Sequence, residues 1–377
     1  MNRPEDKIIH ILHVVTRLPV GGVENMIFKV VTGYDKKKFR VTVCCLREGG
    51  KIAESLKGAG YEVIILGRMK RRGFDWGAVR RLSAIMERGN VHILRTHQYH
   101  ANLYGRIAGL IARVPVMVPS FHNLYHSPDR PKIHRRLFNY LLGFFTDRVV
   151  AVSHAVASDI VRYDHVKPEK VQVIYNGILT ESFDKPISKS EARKAQDLPP
   201  DACIIGNVGR LTEQKGQQFL IEAVSGMRNV AVVIAGDGPL VGKLKQQAEN
   251  NGVSCIFTGA LQPEKIPVFL QSLDLFCFPS LWEGLGVALI EAMAAGLPII
   301  ASDLPPHREV LGEAGILVKP GDPAALRRAL DALLADPAAR EDYAVRAKER
   351  SSLFSIRRTI QAYEELFESL LREKGRG

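Results

Sequence analysis

Apolar and polar positions along this chain follow two alternating rhythms. Short, nearly continuous apolar runs alternate with longer stretches in which apolar residues recur every three or four positions. In the first half, the runs at 8–15, 40–46, 61–66, 91–95, 115–119, 147–152 and 171–175 predict strands. Helical periodicity lies between them at 23–33, 77–88, 100–112 and 131–145. The second half repeats the scheme, with strands at 203–208, 230–235, 254–258, 274–278, 297–301 and 315–318. Its helices fall at 216–226, 240–251, 263–272, 287–295 and 323–335. Strands that are apolar on both faces, alternating with helices, imply parallel sheets covered by helices on each side. Two such halves predict an α/β protein of two Rossmann-like domains.

Residues 180–200 break the rhythm. They hold Lys185-Pro186, Ser188, Ser190 and Leu198-Pro199-Pro200 without periodicity, which reads as a linker. The expected domains are therefore 1–185 and 186–355, followed by a last amphipathic helix within 356–377. That helix carries Ile356, Ile360, Tyr363, Leu366, Phe367 and Leu370 or Leu371 at helical spacing. At 377 residues the chain exceeds what one hydrophobic core normally serves, which also favours two domains.

Charge sharpens the division. Residues 1–185 hold 30 Lys and Arg against 16 Asp and Glu, and the remainder 22 against 24, so the first half carries all of the +12 net charge. Such a surface suits phosphates or anionic lipid. Lys36-Lys37-Lys38, Arg68-Met-Lys-Arg-Arg72 and Arg130-Pro-Lys-Ile-His-Arg-Arg136 are its clusters, the last running into Leu137-Phe-Asn-Tyr-Leu-Leu-Gly-Phe-Phe145. A basic and apolar stretch of this kind fits an anionic membrane surface, or else a charged face with its apolar residues in the core. No basic-plus-aromatic stacking platform points to nucleic acid, so none is expected as a partner. The five cysteines, Cys44, Cys45, Cys203, Cys255 and Cys277, lack Cys-x-x-Cys spacing and sit mostly in apolar runs, as small core residues of a reduced protein do. The segment from Lys7 into Ile8–Val15 is too short and polar for a signal peptide, and no apolar run reaches membrane-spanning length. The expected location is cytoplasmic, peripheral on the inner face of the cytoplasmic membrane.

In open parallel sheets, ligands gather past the carboxyl ends of the strands. Four groups of residues stand there. Glu283-Gly-Leu-Gly-Val-Ala-Leu-Ile-Glu291 joins a glycine loop to a helix start. Gly284 and Gly286 let backbone approach a ligand, the helix N-terminus favours phosphate, and ionised Glu291 can accept from a vicinal diol such as a ribose. In Asn207-Val-Gly-Arg210-Leu-Thr-Glu-Gln-Lys215-Gly216, Arg210 and Lys215 can neutralise a diphosphate. Gly21-Gly22 forms a glycine-bearing first strand-to-helix turn, but without the Gly-x-Gly-x-x-Gly fingerprint of a dinucleotide-binding dehydrogenase. His97 and His122 each follow a strand and are site candidates, whereas His10 and His13 lie within the first strand and read as packed or surface groups. There is no His-Glu-x-x-His, no Cys/His cluster and no Asp-x-Asp, so no metal site is expected.

Taken together, GGVEN at 21–25, SFHN at 120–123, AVSHAV at 151–156, IYNGI at 174–178, GRLTEQKG at 209–216, AGDGP at 235–239 and EGLGVALIEAMAAGLPII at 283–300 resemble glycosyltransferase family 4. The resemblance covers nearly the whole chain. It implies the GT-B fold, with two Rossmann-like domains facing a cleft and the last helix crossing back to the first domain. It implies a retaining, metal-independent hexosyl transfer from a nucleotide-sugar co-substrate, with no cofactor. The C-terminal domain would hold the donor and the N-terminal domain the acceptor. On the family pattern, Gly209, Arg210 and Lys215 meet the diphosphate and Glu291 takes the ribose hydroxyls. Glu283 and the backbone of Gly284, Leu285 and Gly286 lie at the donor sugar; Leu285 stands where the family often has Phe. Gly21, Gly22 and His122 fall near the donor phosphates and sugar, with His97 and Asn123 on the acceptor side. Catalysis is expected to rest on His122, Arg210, Lys215 and Glu283. The expected acceptor is a glycan or lipid-linked intermediate of polysaccharide or lipopolysaccharide synthesis. The alternatives are a soluble small-molecule acceptor, a nucleotide-sugar 2-epimerase and a non-catalytic sugar-nucleotide-binding scaffold.

Overall fold

The computed structural model describes residues 8–69, 74–124, 133–185 and 187–375. Parts of two basic clusters, residues 70–72 and 130–132, and Pro186 of the expected linker lie outside them. The chain forms two compact units, Met1–Gly177 with Ile356–Gly377, and Ile178–Ser355.

The first unit runs β1 (Ile9–Val15), α1 (Gly22–Gly33), β2 (Phe39–Cys45), α2 (Lys51–Gly58), β3 (Glu62–Ile65), α3 (Trp76–Arg88), β4 (Ile93–His97), α4 (Gln98–Ile111), β5 (Val116–Phe121), α5 (Ile133–Gly143), β6 (Val149–Ala151), α6 (His154–Asp164) and β7 (Val171–Val173). Its seven strands are parallel in the order β3-β2-β1-β4-β5-β6-β7. One apolar layer lies under α1 and α2, the other under α3 and α4. Asp75 and Ser153 cap α3 and α6 by accepting from the N–H groups of Ala78 and Val156.

The second unit runs α7 (Lys189–Lys194), β8 (Cys203–Val208), α8 (Gln217–Ala223), β9 (Val230–Ala235), α9 (Val241–Asn250), β10 (Cys255–Gly259), α10 (Ile266–Gln271), β11 (Leu275–Phe278), α11 (Val287–Ala294), β12 (Ile299–Ser302), α12 (Pro305–Leu311), β13 (Ile316–Val318), α13 (Pro323–Ala335) and α14 (Pro337–Ser351). Its six parallel strands order as β10-β9-β8-β11-β12-β13. Asp322-Pro-Ala-Ala and Asp336-Pro-Ala-Ala open α13 and α14 alike: the Asp caps and the Pro fills the first helical position.

The last helix, α15 (Ile356–Glu373), belongs to the first unit. Tyr363, Leu366, Phe367, Leu370 and Leu371 join the core beneath α1, where the Phe367 ring meets Tyr34 and Phe39.

The division between units corrects the expected one. It falls after Gly177 rather than Lys185. Ile178 bridges Ser355 and donates its N–H to the Phe354 carbonyl, and Phe183 is buried, so 178–185 packs with the second unit. The expected linker is also built structure. Ser188 and Glu191 close a capping box on α7, and Arg193 pairs with Asp274 at 2.5 Å while donating to the Ser272 and Pro200 carbonyls.

Candidate active site

In each sheet the strand order reverses at one place, between β1 and β4 in the first unit and between β8 and β11 in the second. Ligands of open parallel sheets sit outside the carboxyl ends at that point.

In the second unit two loops meet there. After β8 come Gly209 and Arg210, then a single 3₁₀ turn, Glu213–Lys215, and Gly216 before α8. Gly216 is left-handed at φ +64°, and a Cβ there would lie 2.1 Å from the Pro279 carbonyl oxygen. Only glycine lets the β8 loop press this closely on the loop after β11. The two loops are tied by Leu281 N–H donating to the Gln214 carbonyl (2.8 Å) and by the Gln214 amide donating to the Trp282 carbonyl (2.9 Å). Behind them, Asn207 donates to the Cys277 carbonyl, and Gln217 donates to Asn207 and to the Arg210 carbonyl.

This lacing aligns the charges. Lys215 Nζ lies 2.5 Å from Glu283 Oε1 and 5.0 Å above the Phe278 ring. Glu283 is only 6% exposed, and its Oε1 also accepts from Ser280 Oγ at 2.9 Å. Arg210 is exposed and forms no ion pair among the described residues. Leu285 is buried, as are Gly284 and Gly286. Gly286, at φ +87°, precedes α11, and a Cβ there would lie 3.2 Å from the Phe278 ring and 3.6 Å from His307 Nε2. Glu291 is half-buried within α11. The second unit thus gathers Gly209, Arg210, Lys215, Glu283 and the 284–286 backbone around the start of α11.

His307, at the head of α12, is a residue that sequence reasoning missed. It is fully buried, and its Nδ1–H donates to the Ser302 carbonyl at 2.7 Å, leaving Nε2 as an acceptor. Burial holds it below the usual imidazole range, although Glu283 acts the other way. Its place just past β12, in Ser302-Asp-Leu-Pro-Pro-His307, was the available signal.

The first unit presents Gly21 and Gly22 at the start of α1, and a Cβ on Gly22 would meet open space. His122 directly follows β5 and is 6% exposed; Asn123 beside it is exposed. His97 corrects its expected direct role on the acceptor side. It is 1% exposed and both ring nitrogens are engaged, Nε2 with His13 Nδ1 and Nδ1 with His122 Nε2, each at 3.2 Å. His10 and His13 are buried. His10 bonds the Gly89 carbonyl and Thr42 and takes no part in the row. All five cysteines are free, and Cys44, Cys45 and Cys277 are fully buried.

Two parallel sheets, each with polar residues past its switch point, form a doubly wound scaffold suited to binding at those points, and comparison with known proteins gives the family. A glycosyl transferases group 1 profile matches residues 188–350, and a Glycosyltransferase Family 4 profile matches residues 20–182. An uncharacterized glycosyltransferase of Methanocaldococcus jannaschii is 30% identical over 274 residues, 68% of this chain and 70% of the relative. The UDP-Gal:alpha-D-GlcNAc-diphosphoundecaprenol alpha-1,3-galactosyltransferase of Escherichia coli is 27% identical over 310 residues, 78% of this chain and 80% of its own. Among solved structures, Anabaena HepE in complex with UDP-glucose superposes with a TM-score of 0.85 at 23% identity, over 96% of this chain and 100% of that one. The chain belongs to the group 1, family 4 glycosyltransferases of GT-B fold.

Proposed function

We propose that this glycosyltransferase moves a hexosyl group from a nucleotide sugar to a hydroxyl of a lipid-linked or lipopolysaccharide-type intermediate, with retention and without a metal ion. The observation that carries the reading is the convergence of Lys215, Glu283 and the start of α11 at the switch point of the second sheet, with exposed Arg210 on the same loop as Lys215. Arg210 and Lys215 take the diphosphate, and the α11 N-terminus adds its positive dipole end. Glu291 accepts from the ribose hydroxyls. Glu283 and His307 Nε2 accept from hydroxyls of the donor sugar, while in the first unit His122, Gly21 and Gly22 offer polar groups and open backbone to a substrate. The two cations do the work that a metal does in Asp-x-Asp enzymes, a motif this sequence lacks.

No carboxylate of the acceptor-binding unit stands out as a nucleophile, so the transfer is a front-face displacement. The bond from the anomeric carbon to the diphosphate oxygen breaks while a bond to the acceptor oxygen forms on the same face. The acceptor proton passes to the leaving diphosphate. Charge builds on that diphosphate in the transition state, where Arg210 and Lys215 stabilise it most. The test is transfer in the presence of EDTA with UDP-hexoses first, since UDP-sugars stand in the names of two relatives. Activity is expected to persist; its full loss, restored by Mg²⁺, refutes the metal-free step.

The acceptor's lipid character rests on α5. Among the described residues, no helix is long and apolar enough to cross a membrane. Yet α5 and the turn after it are inverted, with Leu137, Phe138, Tyr140, Leu141, Phe144 and Phe145 exposed. The inward side sets Leu142, in the core, beside a polar network: Arg106 donates to Asn139 Oδ1, and Asn139 donates to Asp164. Lys170 clamps the end of the helix by donating to the carbonyls of Gly143, Phe144 and Thr146. This apolar face, on the half of the chain that carries the positive charge, suits the surface of an anionic bilayer. Flotation with phosphatidylglycerol-containing vesicles tests it; absence of binding at moderate salt removes the membrane from the reading.

A further inference from the structure

The first unit buries a row of three histidines. The strand order β1-β4-β5 and its register produce it. His13 of β1 is level with Arg95 of β4, and His97 lies two residues beyond Arg95 on the same face. His97 is in turn level with Ser120 of β5, and His122 lies two residues beyond that. Each step moves one strand across and two residues toward the carboxyl ends. The rings follow each other at centroid distances of 5.3 and 5.5 Å, tilted by 20° and 21°, with the two nitrogen–nitrogen bonds of 3.2 Å between them.

No carboxylate accepts from any of these rings among the described residues. The nearby charge is Arg95, fully buried, its guanidinium 3.4 Å above the Tyr363 ring and donating to Tyr34 Oη at 3.1 Å. Burial first, and Arg95 second, hold His13 and His97 well below the ordinary imidazole value and His122 down at about 3. All three are therefore neutral near pH 7, with one N–H each. Two of those protons are spent inside the row, so the third sits at one end: on His13 Nε2 or on His122 Nδ1. Both end atoms are buried without a partner among the described residues.

The ends are not equivalent. His13 is wholly buried within β1, whereas His122 keeps 6% exposure just past the end of β5, beside exposed Asn123. A proton on His13 Nε2 would strand a donor that no bound molecule can reach, whereas one on His122 Nδ1 can be met by a substrate oxygen. A bare lone pair on His13 Nε2 is far cheaper, because an orphaned N–H is the costlier defect. The favoured state thus has His13 Nδ1–H donating to His97 Nε2, and His97 Nδ1–H donating to His122 Nε2. We propose that His13 and His97 are positioning residues that lock His122 in its Nδ1–H tautomer, so that it offers a neutral N–H donor to an oxygen of a bound substrate. This is the tautomer an isolated neutral imidazole disfavours, so the row must impose it. The functional half of the proposal rests on the reading of His122 as a substrate partner; the tautomer itself does not.

Histidine-selective ¹⁵N labelling with long-range imidazole ¹H–¹⁵N correlation on the full chain tests it. Expected for His122 is a pyrrole-type Nδ1 and a pyridine-type Nε2 at neutral pH; the reverse pattern, or a charged ring, overturns the proposal. His97→Phe, which removes the donor to Nε2, is expected to release His122 to the Nε2–H form. It should lower kcat by about 10–100-fold, the usual effect of removing an orienting partner, with the donor KM little changed. His97→Gln, whose amide can donate to the same atom, is expected to recover most of the rate and the Nδ1–H signal. If His97→Phe shifts the tautomer while kcat stays at the wild-type value, the row is structural and the positioning role fails. If His122→Ala itself transfers at the wild-type rate, the substrate role of His122 fails, a result separable from the tautomer measurement on the wild type. Should His97→Phe not fold, the wild-type spectrum alone still decides the tautomer.

Discussion

Lys215 shows how one side chain serves fold and chemistry together. Paired with Glu283 at 2.5 Å in a mostly enclosed place, it neutralises a carboxylate that would otherwise be buried alone. Lys215→Ala is therefore expected to abolish transfer and also to destabilise the second unit by about 3 kcal/mol, the low end for a broken buried pair because Lys215 keeps some exposure. Urea unfolding alongside an activity assay checks both, and unchanged stability would mean that the pair is not formed in solution. At this scale the sequence was informative about residue types past strand ends: Arg210 and Lys215 follow β8, Glu283 follows β11 and His122 follows β5, while Glu291 lies within α11. Partnerships were not legible. His13 and His97 are 84 positions apart, and only the register of three parallel strands brings them into line with His122. For the same reason His13 read as packing and His97 as a direct contact.

Helices carry the next level of the account. On α5 the outward face is the apolar one, so Leu141→Glu together with Phe144→Glu is expected to leave the fold intact, since both side chains are exposed, and to abolish vesicle flotation. Retained flotation would show that another surface binds. On α15 the opposite holds. Phe367 is fully buried against Tyr34, Phe39 and Tyr363, so Phe367→Ala is expected to destabilise the first unit by about 3–5 kcal/mol in urea unfolding. Strands were the easiest elements to read, because runs buried on both faces have no competing pattern; β8 and β9 match their expected bounds. Helices α2, α6, α7, α12 and α14 were not read. α2 is a short helix opened by Gly50 at φ +97°, α12 begins on a double proline, and the second Asp-Pro-Ala-Ala that separates α14 from α13 resembles a turn.

Across the whole molecule, buried histidines set the response to acid, three of them in the row of the first unit. His13, His97 and His122 of the first unit all have native values below the unfolded value of 6.5. Below pH 6.5 the unfolded chain binds protons that the native row refuses, so this stability is fully present above 6.5 and falls as the pH falls toward the native values. At pH 5.5 each ring costs on the order of 1 kcal/mol. The first unit's urea midpoint should drop sharply between pH 7.5 and 5.5, and His13→Phe should soften that dependence; a pH-independent midpoint would show the histidines exposed. The two-unit plan itself was legible from the doubled strand–helix rhythm. The boundary was misplaced because residues 178–200 lack periodicity, yet they are held through Ile178, Phe183 and Arg193.

The central claim is that the second unit binds a nucleotide sugar through Arg210 and Lys215. Arg210 is exposed and forms no ion pair among the described residues, so Arg210→Ala leaves the native fold undisturbed and isolates binding. The decisive measurement is calorimetric titration of the wild type and Arg210→Ala with UDP-, GDP- and ADP-hexoses. One nucleotide class is predicted to bind the wild type and to bind Arg210→Ala about 10–100-fold more weakly, the loss of one charge-assisted contact. No binding of any sugar nucleotide by the wild type at millimolar concentration, or equal binding by both proteins, would contradict the account.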